Sequence, residues 1–270
     1  ISVLKEKAAY EILAGLVGSE MCIRYKEYLR ETTEEALKRK TRIHIHLSES
    51  RQEVADSLEK YGKSPVQHLA DLGLFECLTA AAHCVHLSVE DIELLRKHKV
   101  SVLNNPTSNL KLANGFAPVE ELLKKGVNVA LGTDGSASNN NVNLFEEMHL
   151  AALVNKAIND NTESVPAQQV LRMATINGAK ALGLEKEIGS LEVGKRADLI
   201  LLDANKPHYF PRHNPVSSIA YSAQAGDVST VLVNGKVLME NYEVKTINVE
   251  ETMREGERMA FDLVSRAKES

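Results

Sequence analysis

From residue 25 onward the apolar positions alternate between two rhythms. Residues 25–40 are charged and helically spaced, and they lead into a run in which Ile43, Ile45 and Leu47 alternate with Arg42, His44 and His46. A period of two sends successive side chains to opposite faces, so residues 41–47 predict a strand with its histidines on one side. Ser50 with Glu53 has capping-box spacing ahead of Val54 and Leu58, and Gly62 suits the left-handed stop of that helix. Residues 78–83 read as a second strand. Ser88 with Asp91 caps a helix whose apolar side carries Ile92 and Leu95, and residues 100–104 form a third strand. Pro118 suits a first helical position and Gly126 a stop, ahead of a fourth strand at 128–133. Four β/α units therefore run from residue 41 to about 150, an order that argues for parallel strands.

Two helices are expected next, at 144–159 and 166–182, the second ended by Gly183. Thereafter Gly189, Gly194, Asp203, Gly226 and Gly235 punctuate short strands at 197–202, 230–233 and 236–239, the texture of a small antiparallel sheet. A last helix at 249–267 is amphipathic through Met253, Met259, Leu263 and Val264.

With 270 residues and 43% hydrophobic content, the chain suffices for one large domain or two smaller ones. The net charge of -5 is modest, and Lys38, Arg39 and Lys40 follow Glu34 and Glu35 on a solvated helix face, which argues against a nucleic-acid partner. No apolar run approaches the roughly 20 residues that cross a membrane, and residues 1–7 lack a signal-peptide pattern, so a cytoplasmic location is expected. Cys22, Cys77 and Cys84 contain no C-x-x-C pair and read as reduced thiols. Residues 16–24, LVGSEMCIR, match an in-frame translation of a common transposon-based sequencing adapter, which sets 1–24 apart as a segment of uncertain or artefactual origin. The alternative is an amphipathic helix, since Leu4, Ala8, Ile12 and Leu16 have helical spacing.

Candidate chemistry gathers where strands end. His46 with Glu49, His83, and Asp134 each fall at or just beyond the C-terminal end of a predicted strand, the rim that carries active sites in β/α barrels. Histidine and carboxylate ligands suit Zn²⁺ or Fe²⁺, and a site with open positions lowers the pKa of a bound water to about 7. Plainer roles exist for each: Asp134 in Thr-Asp-Gly as a turn residue, Glu49 as a helix cap, His83 as buried packing. His44, one layer deeper than His46, reads as structural, and Asn104, Asn105 and Asn109 suit turns as well as substrate contacts.

The runs IHIHLSES (43–50), AAHCVHL (81–87), NPTSNLKLANG (105–115), GTDGSASNN (132–140), GSLEVGKRADLILLD (189–203) and VLVNGKV (231–237) occur in this order. Together they closely resemble the methylthioadenosine/S-adenosylhomocysteine deaminases of the amidohydrolase superfamily, from residue 25 to 270. The resemblance implies an α/β fold, a partial (β/α)8 TIM-type barrel comprising strands five to eight over 25–188. The C-terminal part of a small β-sandwich domain, with a terminal helix, follows over 189–270. It implies His46 and Asp134 as ligands of one divalent ion, Zn²⁺ or alternatively Fe²⁺. Glu49 shuttles a proton, His83 contacts water or substrate, Asp134 also accepts the water's proton, and Ser138 lies near the base. Glu49, His83, Asp134 and Ser138 then form the substrate-binding group. The implied reaction is hydrolytic deamination of an adenine nucleoside to an inosine-type product and ammonia. The implied partner is a small-molecule nucleoside, with no nucleic acid or membrane, and a homo-oligomer is compatible.

One departure bears on activity. The H-x-H that the family carries on its first strand, a source of two more ligands, has no counterpart beyond His44-Ile45-His46, which Ser48-Glu49 and the strand count assign to the fifth strand rather than to a dihydroorotase-like first strand. The nucleoside-binding loop ahead of that strand is missing too. The 270-residue chain is accordingly expected to bind metal weakly and to be an inactive fragment. An s-triazine hydrolase or guanine-type deaminase of the same superfamily is the other enzymatic reading. A cytidine-deaminase-type zinc site is disfavoured, because neither H-x-E nor P-C-x-x-C occurs.

Overall fold

The computed structural model describes residues 26–269; the adapter-like run, the helical spacing of Leu4 to Leu16 and Cys22 lie outside the described residues. Helix α1 (Lys26–Arg39) buries Leu29 and Ala36 and delivers the chain to β1 (Ile43–Leu47). The period-two pattern is realised: Ile43, Ile45 and Leu47 are buried, while His44 and His46 face the other way. In α2 (Arg51–Tyr61) Ser50 Oγ accepts the Glu53 N–H, and Gly62 closes the helix at φ 66° with its N–H on the Leu58 carbonyl. A cap of this kind contributes about 1 kcal/mol. After α3 (Pro65–Asp71), β2 (Thr79–His83) is buried along its whole length. Ser88 and Asp91 form the expected capping box of α4 (Val89–Lys97), and β3 (Ser101–Asn104), α5 (Pro106–Lys111), α6 (Val119–Lys124) and β4 (Val129–Leu131) complete the series.

The four strands pair in parallel in chain order, β1-β2-β3-β4. Leu47 stands beside His83 and Asn104 beside Leu131, so all four C-terminal ends share one edge. Parallel neighbours require crossovers, which the helices provide. The helix-covered face holds the core, with Ile43, Ile45, Leu47, Leu69, Ile92, Leu95, Val102, Leu122 and Val129 all buried. Each such side chain contributes about 1.5–3 kcal/mol. Cys77 and Cys84 are free and buried.

Close packing at the end of β4 is specific. A Cβ on Gly132 would lie 2.4 Å from Oδ1 of Asn105, closer than real side chains approach. Gly132→Ala is expected to cost about 1–3 kcal/mol and to lower the thermal midpoint by roughly 2–10 °C. An unchanged midpoint would show that Asn105 swings aside freely.

After α7 (Ser136–Asn139) and α8 (Leu144–Ile158), the helix expected over 166–182 is two: α9 (Ala167–Met173) and α10 (Ile176–Ala181). The break falls at Thr175, whose φ of -127° and ψ of -99° leave the helical region. Here the chain returns at Gly189, where a Cβ would lie 2.6 Å from that of Ala179. Pro118 also stands one position earlier than expected, as the residue before α6.

The second sheet is antiparallel, in the order β5 (Leu199–Leu202), β6 (Val228–Val233), β7 (Lys236–Glu240), β8 (Glu243–Val244). Among the described residues it forms one layer. Between β5 and β6, helix α11 (Pro215–Tyr221) buries Ala220 in the main core. Asp227 anchors the same crossover by accepting bonds from Lys206 Nζ, His208 Nε2, Tyr209 Oη and the Gln224 N–H, each 2.9 Å. Burial alone would raise this carboxyl; the four bonds outweigh it and hold the group well below the usual carboxylate range. Helix α12 (Val249–Glu269) leaves Met253, Met259, Phe261, Leu263 and Val264 exposed. Among the described residues no helix is long and apolar enough to cross a membrane.

Candidate functional site

The shared strand edge turns sharply, and the turns aim the side chains. Ser48, His83, Cys84 and Asp134 have φ of 51°, 71°, 50° and 60°, left-handed values that cost a non-glycine residue on the order of 1–3 kcal/mol. Backbone bonds hold them: Cys84 N–H donates to the Leu47 carbonyl at 2.9 Å, and the N–H groups of Val85 and His86 both donate to the Ser48 carbonyl at 3.0 Å.

His46, Glu49, His83 and Asp134 converge as expected from their strand-end positions. His46 Nδ1 lies 3.2 Å from His83 Nε2 and 3.5 Å from Glu49 Oε2; His46 Nε2 lies 3.8 Å from Asp134 Oδ1; and Glu49 Oε2 lies 3.6 Å from His83 Nε2. Exposure is graded across the group. The His83 side chain is fully buried, Glu49 and Asp134 are 14% and 16% exposed, and His46 is 43% exposed, so the cluster has a closed floor and an open mouth.

A hydrogen bond to Asn109 sets the tautomer of His83. The oxygen of Asn109 lies 2.8 Å from His83 Nδ1 and can only accept, so Nδ1 carries the proton and Nε2 keeps its lone pair toward the site. Burial lowers the His83 pKa and keeps the ring neutral, opposed in part by that bond and by Glu49. His46 is raised, first by its bond to Glu49, against burial, and further by Asp134. Glu49 is lowered by His46, with burial opposing. At Asp134 burial raises the carboxyl, and bonds from Ser138, Ser108 and the Gly135 N–H outweigh it. The shifts of Glu49 and Asp134 favour their anionic forms, and that of His46 favours its cationic form, as expected for neighbours of opposite charge.

Supporting residues surround this group. Glu49 Oε1 accepts from Asn114 Nδ2 at 2.9 Å, and His86 Nε2–H donates to the Asn114 carbonyl at 2.8 Å. Glu53, expected only as a capping partner, accepts the N–H groups of Ser48 at 2.9 Å and Glu49 at 2.7 Å and so fixes the backbone that carries Glu49. Ser138, expected near the base, is buried on α7 with its hydroxyl 2.5 Å from Asp134 Oδ2, and Ser108 donates to the same oxygen at 2.7 Å. Glu147, fully buried on α8, accepts from Thr107 N–H at 3.1 Å and Asn139 Nδ2 at 2.7 Å and joins α5 and α7, the short helices that carry those two serines.

The donor set suits a divalent ion. One ligand atom each from His46, His83 and Asp134 lies within 4.8 Å of the others. Ligands about 2.0–2.1 Å from a tetrahedral zinc stand about 3.4 Å apart, close to the 3.8 Å between His46 Nε2 and Asp134 Oδ1. Two imidazoles and a carboxylate are the ligand types of zinc and non-haem iron sites with open positions.

Comparison with known proteins follows the same direction. The amidohydrolase family profile matches residues 5–238, beginning upstream of the boundary that the adapter-like run suggests. A 5-methylthioadenosine/S-adenosylhomocysteine deaminase from Thermoanaerobacter pseudethanolicus is 59% identical over 88% of this chain and 56% of its own length. An adenosine deaminase from Xanthomonas campestris with bound zinc superposes with a TM-score of 0.86 at 34% identity, over 89% of this chain and 55% of that one. Atrazine chlorohydrolase from Arthrobacter aurescens complexed with zinc gives 0.80 at 29% identity, over 86% and 51%. The chain spans about half the length of the curated relatives it matches.

Proposed function

The chain belongs to the amidohydrolase family, and on that footing we propose that it forms the catalytic half of a hydrolytic adenine-nucleoside deaminase acting on 5-methylthioadenosine or S-adenosylhomocysteine. The observation that carries the reading is the convergence of His46, Glu49, His83 and Asp134 on one cleft, in a chain 59% identical to a deaminase of those substrates. In this reading β1–β4 are strands five to eight of an eight-stranded barrel, and the antiparallel sheet is part of a flanking β-sandwich.

His46 and Asp134 would hold the ion, Zn²⁺ first and Fe²⁺ second, joined by donors from the remaining length of the protein. When bound, the ion supplies Lewis acidity that makes a water nucleophilic near neutral pH. Asp134 Oδ1 accepts the water's proton as oxygen adds to the ring carbon bearing the amino group. Glu49, ionised at rest, takes the second proton from the adding oxygen and passes it to the neighbouring ring nitrogen, and Asn114 holds its other carboxylate oxygen. The Nε2 lone pair of buried His83 orients the water or the amino group, with Ser138 beside them on the floor. Transfer of the proton held by Asp134 to the amino nitrogen breaks the C–N bond, releases ammonia and leaves the inosine-type nucleoside.

The test is ammonia release from methylthioadenosine, S-adenosylhomocysteine and adenosine by the protein extended to the length of its relatives and loaded with zinc. Turnover of the first two is expected. Dechlorination of atrazine without ammonia from any nucleoside would favour the triazine-hydrolase reading, which rests on a structure only 29% identical. The 270-residue chain alone is expected to show no appreciable turnover.

A further inference from the structure

Two hydroxyls grip Asp134 through the same oxygen. Its Oδ2 receives two hydroxyl bonds, from Ser108 on α5 at 2.7 Å and from Ser138 on α7 at 2.5 Å, while Oδ1 faces His46 Nε2 at 3.8 Å. Both serines are buried, Ser108 completely, and the short helices that carry them follow β3 and β4, different strands of the sheet. Hydroxyl bonds to an ionised carboxylate are short and strong, and two on one oxygen occupy the lone pairs through which it would coordinate. A carboxylate held this way can neither rotate to bind an ion through both oxygens nor exchange one oxygen for the other.

We infer that Ser108 and Ser138 are positioning residues that hold Asp134 through Oδ2, so that Oδ1 alone is presented to the ion and to the attacking water. The inference rests on the reading of Asp134 as a ligand. It gives Ser138 a role through Asp134, distinct from a direct substrate contact: a lost substrate contact would raise KM and leave ion affinity unchanged, whereas lost positioning weakens the ion itself. Ser108 gains a role that its place in the NPTSNLKLANG run alone does not assign. The buried Glu147 carboxylate, by tying Thr107 to Asn139, keeps the two hydroxyls in register with one another.

The experiment is a Co²⁺ titration of the 270-residue chain, followed by visible absorption into the millimolar range, with Zn²⁺ as competitor. It compares the parent with Ser108→Ala, Ser138→Ala, the double variant and Ser138→Thr. Each single alanine variant is expected to weaken binding several-fold and the double variant about 10- to 100-fold, the usual effect of losing a group that orients a ligand. Ser138→Thr, which keeps the hydroxyl, is expected to restore parental affinity. Melting curves without metal separate lost folding from lost positioning, and if the double variant does not fold the single variants carry the comparison. Alanine variants that bind Co²⁺ within about twofold of the parent, or a Ser138 loss that threonine fails to restore, would overturn the positioning role while leaving the metal reading intact. A parent chain that binds no Co²⁺ at all would overturn the metal reading and this inference with it.

Discussion

Asp134→Asn, in the protein extended to the length of its relatives, is expected to lose metal and turnover together: ion affinity by about 10- to 100-fold or more and turnover by about 100- to 10,000-fold. The substitution keeps the shape of the side chain and removes its charge, which the surroundings are built to keep. Ser108, Ser138 and the Gly135 N–H all donate to the carboxylate, and together they outweigh the burial that would otherwise protonate it. An amide there can present its NH₂ group to Oδ2's two donors or to the cleft, and either placement sets donors against donors or against a cation. The change also removes the proton acceptor for the water. Metal analysis beside steady-state deamination checks both halves, and a variant that retained full metal occupancy would remove Asp134 from the ligand set.

Glu49→Gln is expected to behave differently, keeping its metal and losing about 100- to 10,000-fold in turnover. The carboxylate lies 3.5 Å from His46 Nδ1, the nitrogen opposite the one that faces Asp134, so its partner is the ligand ring and not the ion. Asn114 holds Oε1 and Glu53 holds the backbone, which leaves Oε2 as the working oxygen. Glutamine retains that placement and cannot deliver a proton to a ring nitrogen. Metal loss in Glu49→Gln would make Glu49 a ligand, and near-normal turnover would remove it from the proton transfer, since Ser50 and not Glu49 caps the helix.

The parts of this site that could be read from the chain are those tied to a local rhythm. His46 follows from a period-two strand, and Glu49 from its spacing to His46 and to the Ser50 cap. His83 and Asp134 follow from their place at strand ends, once consecutive parallel strands align those ends. Helices with a cap and several turns were equally legible, as at Ser50 and Ser88. The helix at 166–182 was not, because its interruption at Thr175 answers the packing of distant Gly189 and leaves no mark in the apolar spacing. Helices of four to seven residues, such as Pro65–Asp71 and Ser136–Asn139, are too short to display a period. Ser108, Asn114 and Glu147 escaped for a related reason: each acts on a residue brought close by the sheet, with sequence separations of 26, 65 and 40.

Glu147 has a kinetic consequence as well as a geometric one. Its two oxygens are divided between Thr107, on α5 after β3, and Asn139, on α7 after β4, whose own Oδ1 accepts the Val142 N–H in the loop that follows. A fluctuation that frees either segment must first break a bond to a fully buried side chain, which has no exposed surface through which water could replace it. The two segments are therefore expected to open together as one local unfolding unit, and hydrogen exchange checks it: the amides of Thr107 and Val142 should share one protection, and unequal protection would show that each opens alone.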